Sequence, residues 1–167
     1  MSPETRAREL LKSLSIKRPP VDVVGVAKKL RVRIEQADLS DECSGVLVRR
    51  GSAAVIGVQF AHHPNRQRFT VAHELGHFLL HKGGTYVDKG TTLRFRNLQS
   101  GSGTQKEERE ANHFAAALLM PAEWVQAEFE RHPFDLADDS QLQELCRTFG
   151  VSAQAMSYRL TNLGLLA

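Results

Sequence analysis

Apolar residues set the first element of the chain. Leu10, Leu11 and Leu14 share one face at helical spacing, which predicts a helix over residues 3–14. Pro19-Pro20 breaks it, and VDVVGVAKKL (21–30) predicts a second, short helix. The period then shifts to two. RVRIEQ (31–36), SGVLVRR (44–50) and AAVIGV (53–58) predict strands, with Gly51-Ser52 as a tight hairpin turn. Helical spacing returns from about Gln67 to His81, and Gly83-Gly84 supplies a stop signal. Between 85 and 106, TLRFRN predicts an edge strand and QSGSGTQK a Gly/Ser loop, expected to be mobile and near the functional site. Two helices follow, over about 106–120 and through AEWVQAEFERH, with Pro121 closing one and suiting the first turn of the next. The end, DSQLQELCRTFGVSAQAMSYRLTNLGL, reads as helix, Gly-Val-Ser turn, helix, and no internal repeat is visible.

Composition narrows the class. At 167 residues, 41% hydrophobic and 25% charged, the chain has the makeup of one globular domain, and a disordered or collagenous chain is excluded. No apolar run reaches the roughly 20 residues of a membrane span. The N-terminal MSPETRARELLKSLS is charged and amphipathic with no apolar signal core, so a cytoplasmic location is expected. Cys43 and Cys146 form no CxxC pair and are expected as free thiols. A net charge of +3 is only mildly basic and by itself points to no nucleic acid.

The candidate chemistry lies in RFTVAHELGHFLLH (68–81). On a helix, residues i and i+4 lie about 40° apart, so His73 and His77 can point ring nitrogens at one ion. Glu74, about 100° round from His73, falls outside that pair but within reach of a water on the ion's open side. Two ligands and a poised base are what metal-assisted hydrolysis requires; a structural pair of core histidines is the competing reading. Leu75 and Phe78 anchor the helix, and Gly76 admits a neighbouring strand or a substrate backbone. A catalytic zinc site needs a third protein ligand, and KEEREANHFAAALLMP offers one. Glu108, Ala111, Asn112 and Ala115 share a helix face, which makes Glu108 the first candidate, Glu110 the second and Glu107 the third. Asn112, one turn on, can fix the tautomer of a ligand histidine. His81 lies about 80° from His73 and reads as a helix-end group behind the ligands. His62 and His63 read as exposed loop residues, and His113 as packed or exposed. Tyr86 and His81 are alternative oxyanion partners.

RQRFTVAHELGHFLLH, followed some 30 residues later by EREANHFAAALLMP, resembles the ImmA/IrrE family of metallopeptidases, and the likeness extends to FGVSAQAMSYRL. The resemblance implies an α+β, zincin-like fold, helix-rich with a small antiparallel sheet. It implies a divalent metal, zinc with manganese as the alternative, held by His73, His77 and Glu108, with Glu74 as catalytic base. It also implies a protein substrate, a helix-turn-helix repressor cleaved in a phage, mobile-element or stress response. The long C-terminal sensor domain of the larger radiation-response members is not expected here.

The last helices look like a helix-turn-helix packed on a metallopeptidase domain, which divides the chain into 1–137 and 138–167. Ser152 is a natural N-cap, and Gln154, Ser157, Tyr158 and Arg159 are polar enough to touch DNA. Leu142, Leu145, Phe149, Val151, Met156, Leu160 and Leu163 nevertheless form a packing stripe. Arg147 and Arg159 stand against Asp138, Asp139 and Glu144, too little positive charge for a phosphate footprint. Packing or protein docking is therefore expected in place of direct DNA binding. The alternative is a non-enzymatic regulator that binds protein or DNA through these helices around a structural metal. Such a metal needs a fourth protein ligand, and the sequence offers none at suitable spacing.

Overall fold

The structure, a computed structural model, describes residues 1–40, 42–83, 85–88, 104–131 and 139–166. Helix α1 (Pro3–Ser13) begins at Ser2, whose hydroxyl accepts from Thr5 N, and α2 (Val23–Lys29) begins at Asp22, which accepts from Gly25 N. Strands β1 (Val32–Ala37), β2 (Gly45–Arg50) and β3 (Ala53–Gln59) follow, with Gly51 at φ +60° turning the β2–β3 hairpin. Then come α3 (Pro64–Leu80) and β4 (Thr85–Asp88). Helices α4 (Gln105–Leu119), α5 (Ala122–Arg131), α6 (Asp139–Phe149) and α7 (Ala153–Asn162) complete the order.

The fold is α+β, with helices around a sheet that, among the described residues, has four strands in the order β1-β3-β2-β4. The sheet is mixed, and this corrects the expectation of an antiparallel one. Strand β2 runs antiparallel to β3 and to β4, but β1 runs parallel to β3, with Val32 opposite Ala54. The cause is the connection between β1 and β2, which is long enough to skip a strand position. The tight hairpin then returns β3 into the gap, in the same direction as β1. Flanked on both sides, β3 is buried at Ala54 and continuously from Ile56 to Gln59, as befits an interior strand.

Helix α3 packs on the sheet and most extensively on α4. It starts three residues before the expected Gln67, because Pro64 occupies its first turn and His63 caps it, the ring Nδ1 accepting from Asn65 N. It ends at Leu80, ahead of the two glycines, where His81 turns extended at φ −122° and ψ 151°. Helix α4 starts in a capping box: Thr104 accepts from Glu107 N, and the Glu107 carboxylate accepts from Thr104 N. The proposed strand TLRFRN and most of the Gly/Ser loop lie outside the described residues. Strand β4 has no counterpart among the predicted elements. Among the described residues no helix is long and apolar enough to cross a membrane.

The C-terminal helices are tied to the rest at two places. Arg68 of α3 donates to the carbonyls of Gly150 and Phe149, and Asn65 donates to that of Val151, so the start of α3 grips the α6–α7 turn. Arg159 of α7 is 7% exposed and donates to Met120 O and to both oxygens of Glu4. The sequence reading places Arg159 among groups able to touch DNA; its guanidinium is instead buried and engaged.

Candidate metal centre

The helical period brings His73 and His77 together on the face of α3 that meets α4. Both are 1% exposed, and their Nε2 atoms lie 3.1 Å apart. Glu108, in the first turn of α4, completes a triangle: its Oε2 is 3.2 Å from His73 Nε2 and its Oε1 3.2 Å from His77 Nε2. The two helices approach this closely because position 76 is glycine. A Cβ there would stand 3.0 Å from Ala111 Cα and 3.2 Å from Ala111 O. The backbone that Gly76 admits is thus that of a helix, where a strand or substrate was expected.

Hydrogen bonds behind the triangle fix which nitrogens face inward. His73 Nδ1 lies 2.9 Å from Asn112 Oδ1, an acceptor, so Nδ1 carries the proton and Nε2 a lone pair. His77 Nδ1 lies 3.0 Å from His81 Nδ1, and His81 Nε2 lies 3.0 Å from Glu110 Oε2. Two imidazole lone pairs and a carboxylate therefore converge on one point, an arrangement that calls for a cation. A tetrahedral zinc with bonds of 2.0–2.1 Å spaces its ligands roughly 3.3 Å apart, close to the edges seen. Among the described residues these three are the group able to hold an ion, and three protein donors leave a tetrahedral ion one position for another ligand.

The electrostatics agree. Burial lowers the pKa of His77 against the opposing pull of Glu108, which favours the neutral, ligating form. Burial pushes Glu108 up, but the neighbouring His73 and His77 rings outweigh it and hold the carboxyl at about 2, which requires a ring proton or a cation between the three groups. Glu74 stands outside the triangle and is fully buried. It faces the start of β2, where a Cβ on Gly45 would come within 3.4 Å of Glu74 Oε1 and collide with Thr70 Cγ2. Glycine at 45 thus leaves room beside the carboxylate.

The remaining candidates are placed as follows. Glu107 serves the α4 cap and Glu110 meets His81, so neither joins the triangle. His63 caps α3 and is exposed, His62 is half-buried, and His113 is exposed. His81 is held between His77 and Glu110, and Tyr86 lies in β4 opposite Leu47. Sequence reasoning misses Arg49. Its Nη2 shares two hydrogens among the carbonyls of His77, Phe78 and His81, at 2.9, 2.8 and 2.8 Å, and the guanidinium carbon lies 5.0 Å from the Phe78 ring centre. It closes the C-terminal end of α3, where exposed carbonyls favour a cation. The available signal is alternation in β2: period two puts Arg49 on the same face as the buried Gly45 and Leu47.

A helix-borne pair of histidines with a glutamate from a second helix defines a metallopeptidase-like class of site. The chain belongs to the Peptidase M78 family, described as the IrrE N-terminal-like domain, whose model matches residues 27–161. Its fold also resembles a solved structure, a Mycobacterium tuberculosis transcriptional regulator, with a TM-score of 0.65 and 16% sequence identity. The likeness covers 95% of this chain and 46% of that one, so the chain spans about half the length of the regulator. No curated protein matches the chain.

Proposed function

We propose that the protein is a metal-dependent endopeptidase, acting in the cytoplasm on a protein substrate. The observation that carries this reading is the triangle of His73 Nε2, His77 Nε2 and Glu108 with edges of 3.1–3.2 Å. His73, His77 and Glu108 hold one divalent ion, zinc first and manganese as the alternative. When bound, the ion supplies Lewis acidity, polarising the scissile carbonyl and acidifying the attacking water. Glu74 accepts the proton of that water and returns it to the leaving amine. Asn112 keeps the His73 ring in its ligating tautomer. The substrate proposed is a helix-turn-helix repressor, in a phage, mobile-element or stress response; family membership supports the reaction class, and the repressor rests on the resemblance alone.

The regulator reading is less well supported. Among the described residues the triangle has no fourth protein ligand, which suits a catalytic site with an open position better than a closed structural one. The test is Glu74→Gln, nearly isosteric but unable to take up a proton. The variant is expected to keep zinc and fold while losing cleavage of a repressor substrate, read by intact mass. Full cleavage by the variant would remove Glu74 from the base role. No cleavage by the zinc-loaded wild type across a panel of repressors would remove the proposed substrate.

A further inference from the structure

Behind His77 runs a chain of two further groups that the proposed reaction does not use. Glu110 on α4 meets His81 at the end of α3, and His81 meets His77, each step 3.0 Å long. With both rings neutral, the direction of every proton along it follows from the carboxylate at its outer end. An ionised Glu110 can only accept, so His81 Nε2 must carry hydrogen. A neutral His81 then offers a lone pair at Nδ1. His77 Nδ1 must therefore donate to it, which leaves His77 Nε2 bare and facing the triangle. The outer carboxylate thus settles, across two rings, which nitrogen of His77 is available to a metal.

We infer that Glu110 is a positioning residue, which fixes the tautomer and ring orientation of His77 through His81. The inference rests on the reading of His77 as a metal ligand. Ligand histidines commonly donate their second nitrogen directly to a carboxylate or carbonyl. Here an extra imidazole is inserted, because Glu110 projects from α4 toward the end of α3, one turn beyond His77. The geometry is held from the backbone side as well. Arg49 binds the carbonyls of His77 and His81 together, so the two rings cannot drift apart by fraying of the helix end. The centroids of the two rings stand 5.1 Å apart with a 54° tilt between the planes, a tilted approach that brings the two Nδ1 atoms within 3.0 Å. His73, by contrast, is oriented by the neutral amide of Asn112. The two candidate ligands are thus set by different means, and each can be disturbed alone.

A purely structural account of Glu110 is a tie between α3 and α4. Its side chain is 34% exposed, and a polar contact so placed contributes little to stability. The two accounts separate in a pair of variants of the full chain. Glu110→Met removes the acceptor, while Glu110→Gln keeps one in the amide oxygen. Zinc affinity, measured by competition with a chromophoric chelator, is expected to fall about 10–100-fold in Glu110→Met and to stay within about threefold of wild type in Glu110→Gln. Long-range 1H–15N spectra of the metal-free proteins are expected to show His77 protonated at Nδ1 in wild type and Glu110→Gln, and a mixture of tautomers in Glu110→Met. Wild-type affinity or an unmixed tautomer in Glu110→Met overturns the inference. So does equal loss in both variants, or a Glu110→Met chain that no longer folds. Failure of the wild type itself to bind zinc would instead sink the metallopeptidase reading, which keeps the two outcomes apart.

Discussion

Arg159 and Glu4 join the two ends of the chain. The guanidinium of Arg159, on α7, meets both carboxylate oxygens of Glu4, on α1, at 2.6 and 3.0 Å, while its Nε donates to Met120 O at 2.8 Å. This fork ties the first helix, the end of α4 and the last helix at one point. Arg159→Ala would leave the Met120 carbonyl and one side of Glu4 without their partner. Glu4 is half-exposed and can rehydrate, so the expected cost is about 2–3 kcal/mol. Urea denaturation checks it, and a loss below about 0.5 kcal/mol would mean that the fork is dispensable.

With Arg159 engaged inward, α7 has little left with which to grip phosphate. Tyr158 is 50% exposed, and Arg147 of α6 lies 3.7 Å from Glu144. The protein alone is expected to show no sequence-specific duplex binding in a gel-shift assay. A specific complex that weakens by several powers of the salt concentration would contradict this and raise the regulator reading.

Gly76→Ala sets two effects against each other. Alanine gains about 1 kcal/mol of helix propensity, and overpacking against the Ala111 backbone costs about 1–3 kcal/mol. Stability should therefore fall by less than about 2 kcal/mol. The strain is relieved by moving α4, which carries Glu108, so zinc affinity is expected to fall about tenfold. Unchanged zinc affinity would show that the helices can absorb the methyl group without opening the triangle.

What was legible in the sequence was local. Helical spacing turns HExxH and the Glu108–Asn112 row into faces, and faces into a site, with no knowledge of the wider fold. What was not legible depends on strand order. The parallel β1–β3 pair arises because β3 inserts between β1 and β2, which no alternation within a strand reveals. Strand β4, Thr85–Asp88, is made by pairing with β2. Arg159 reads as a group able to touch DNA and Arg49 is passed over, because arginine is seldom buried. Their partners are mostly backbone carbonyls brought near by tertiary packing, which carry no sequence signal.

Acid should weaken the metal-free protein in two stages. The folded pKa of His77 is lowered from 6.5, so below that value the unfolded chain binds more protons and stability falls. Glu108 is held at about 2 against 4.5, so its contribution is present above 4.5 and lost as pH falls toward 2. Both groups therefore act in the same direction. Urea midpoints for the metal-free protein should decrease from about pH 7 to about pH 2, and in the zinc-loaded protein the metal should dissociate over the upper part of that range as the histidines protonate. A flat profile would show that the triangle does not titrate as a buried unit.

Glu107 and Glu108 are neighbours in sequence with separable roles. Glu107 closes the capping box with Thr104, and Glu108 faces the two histidines. Glu107→Ala should cost about 1 kcal/mol of stability and leave zinc binding within about twofold of wild type. Glu108→Ala should abolish zinc binding. Without the carboxylate, two imidazoles remain, too few for a stable site. It also removes the carboxylate's contacts with His73 and His77, so the metal-free chain should lose some stability at neutral pH and stay folded. Metal content after dialysis, read beside thermal unfolding, separates the two. If Glu107→Ala strips the metal while Glu108→Ala retains it, the assignment of the third ligand is wrong.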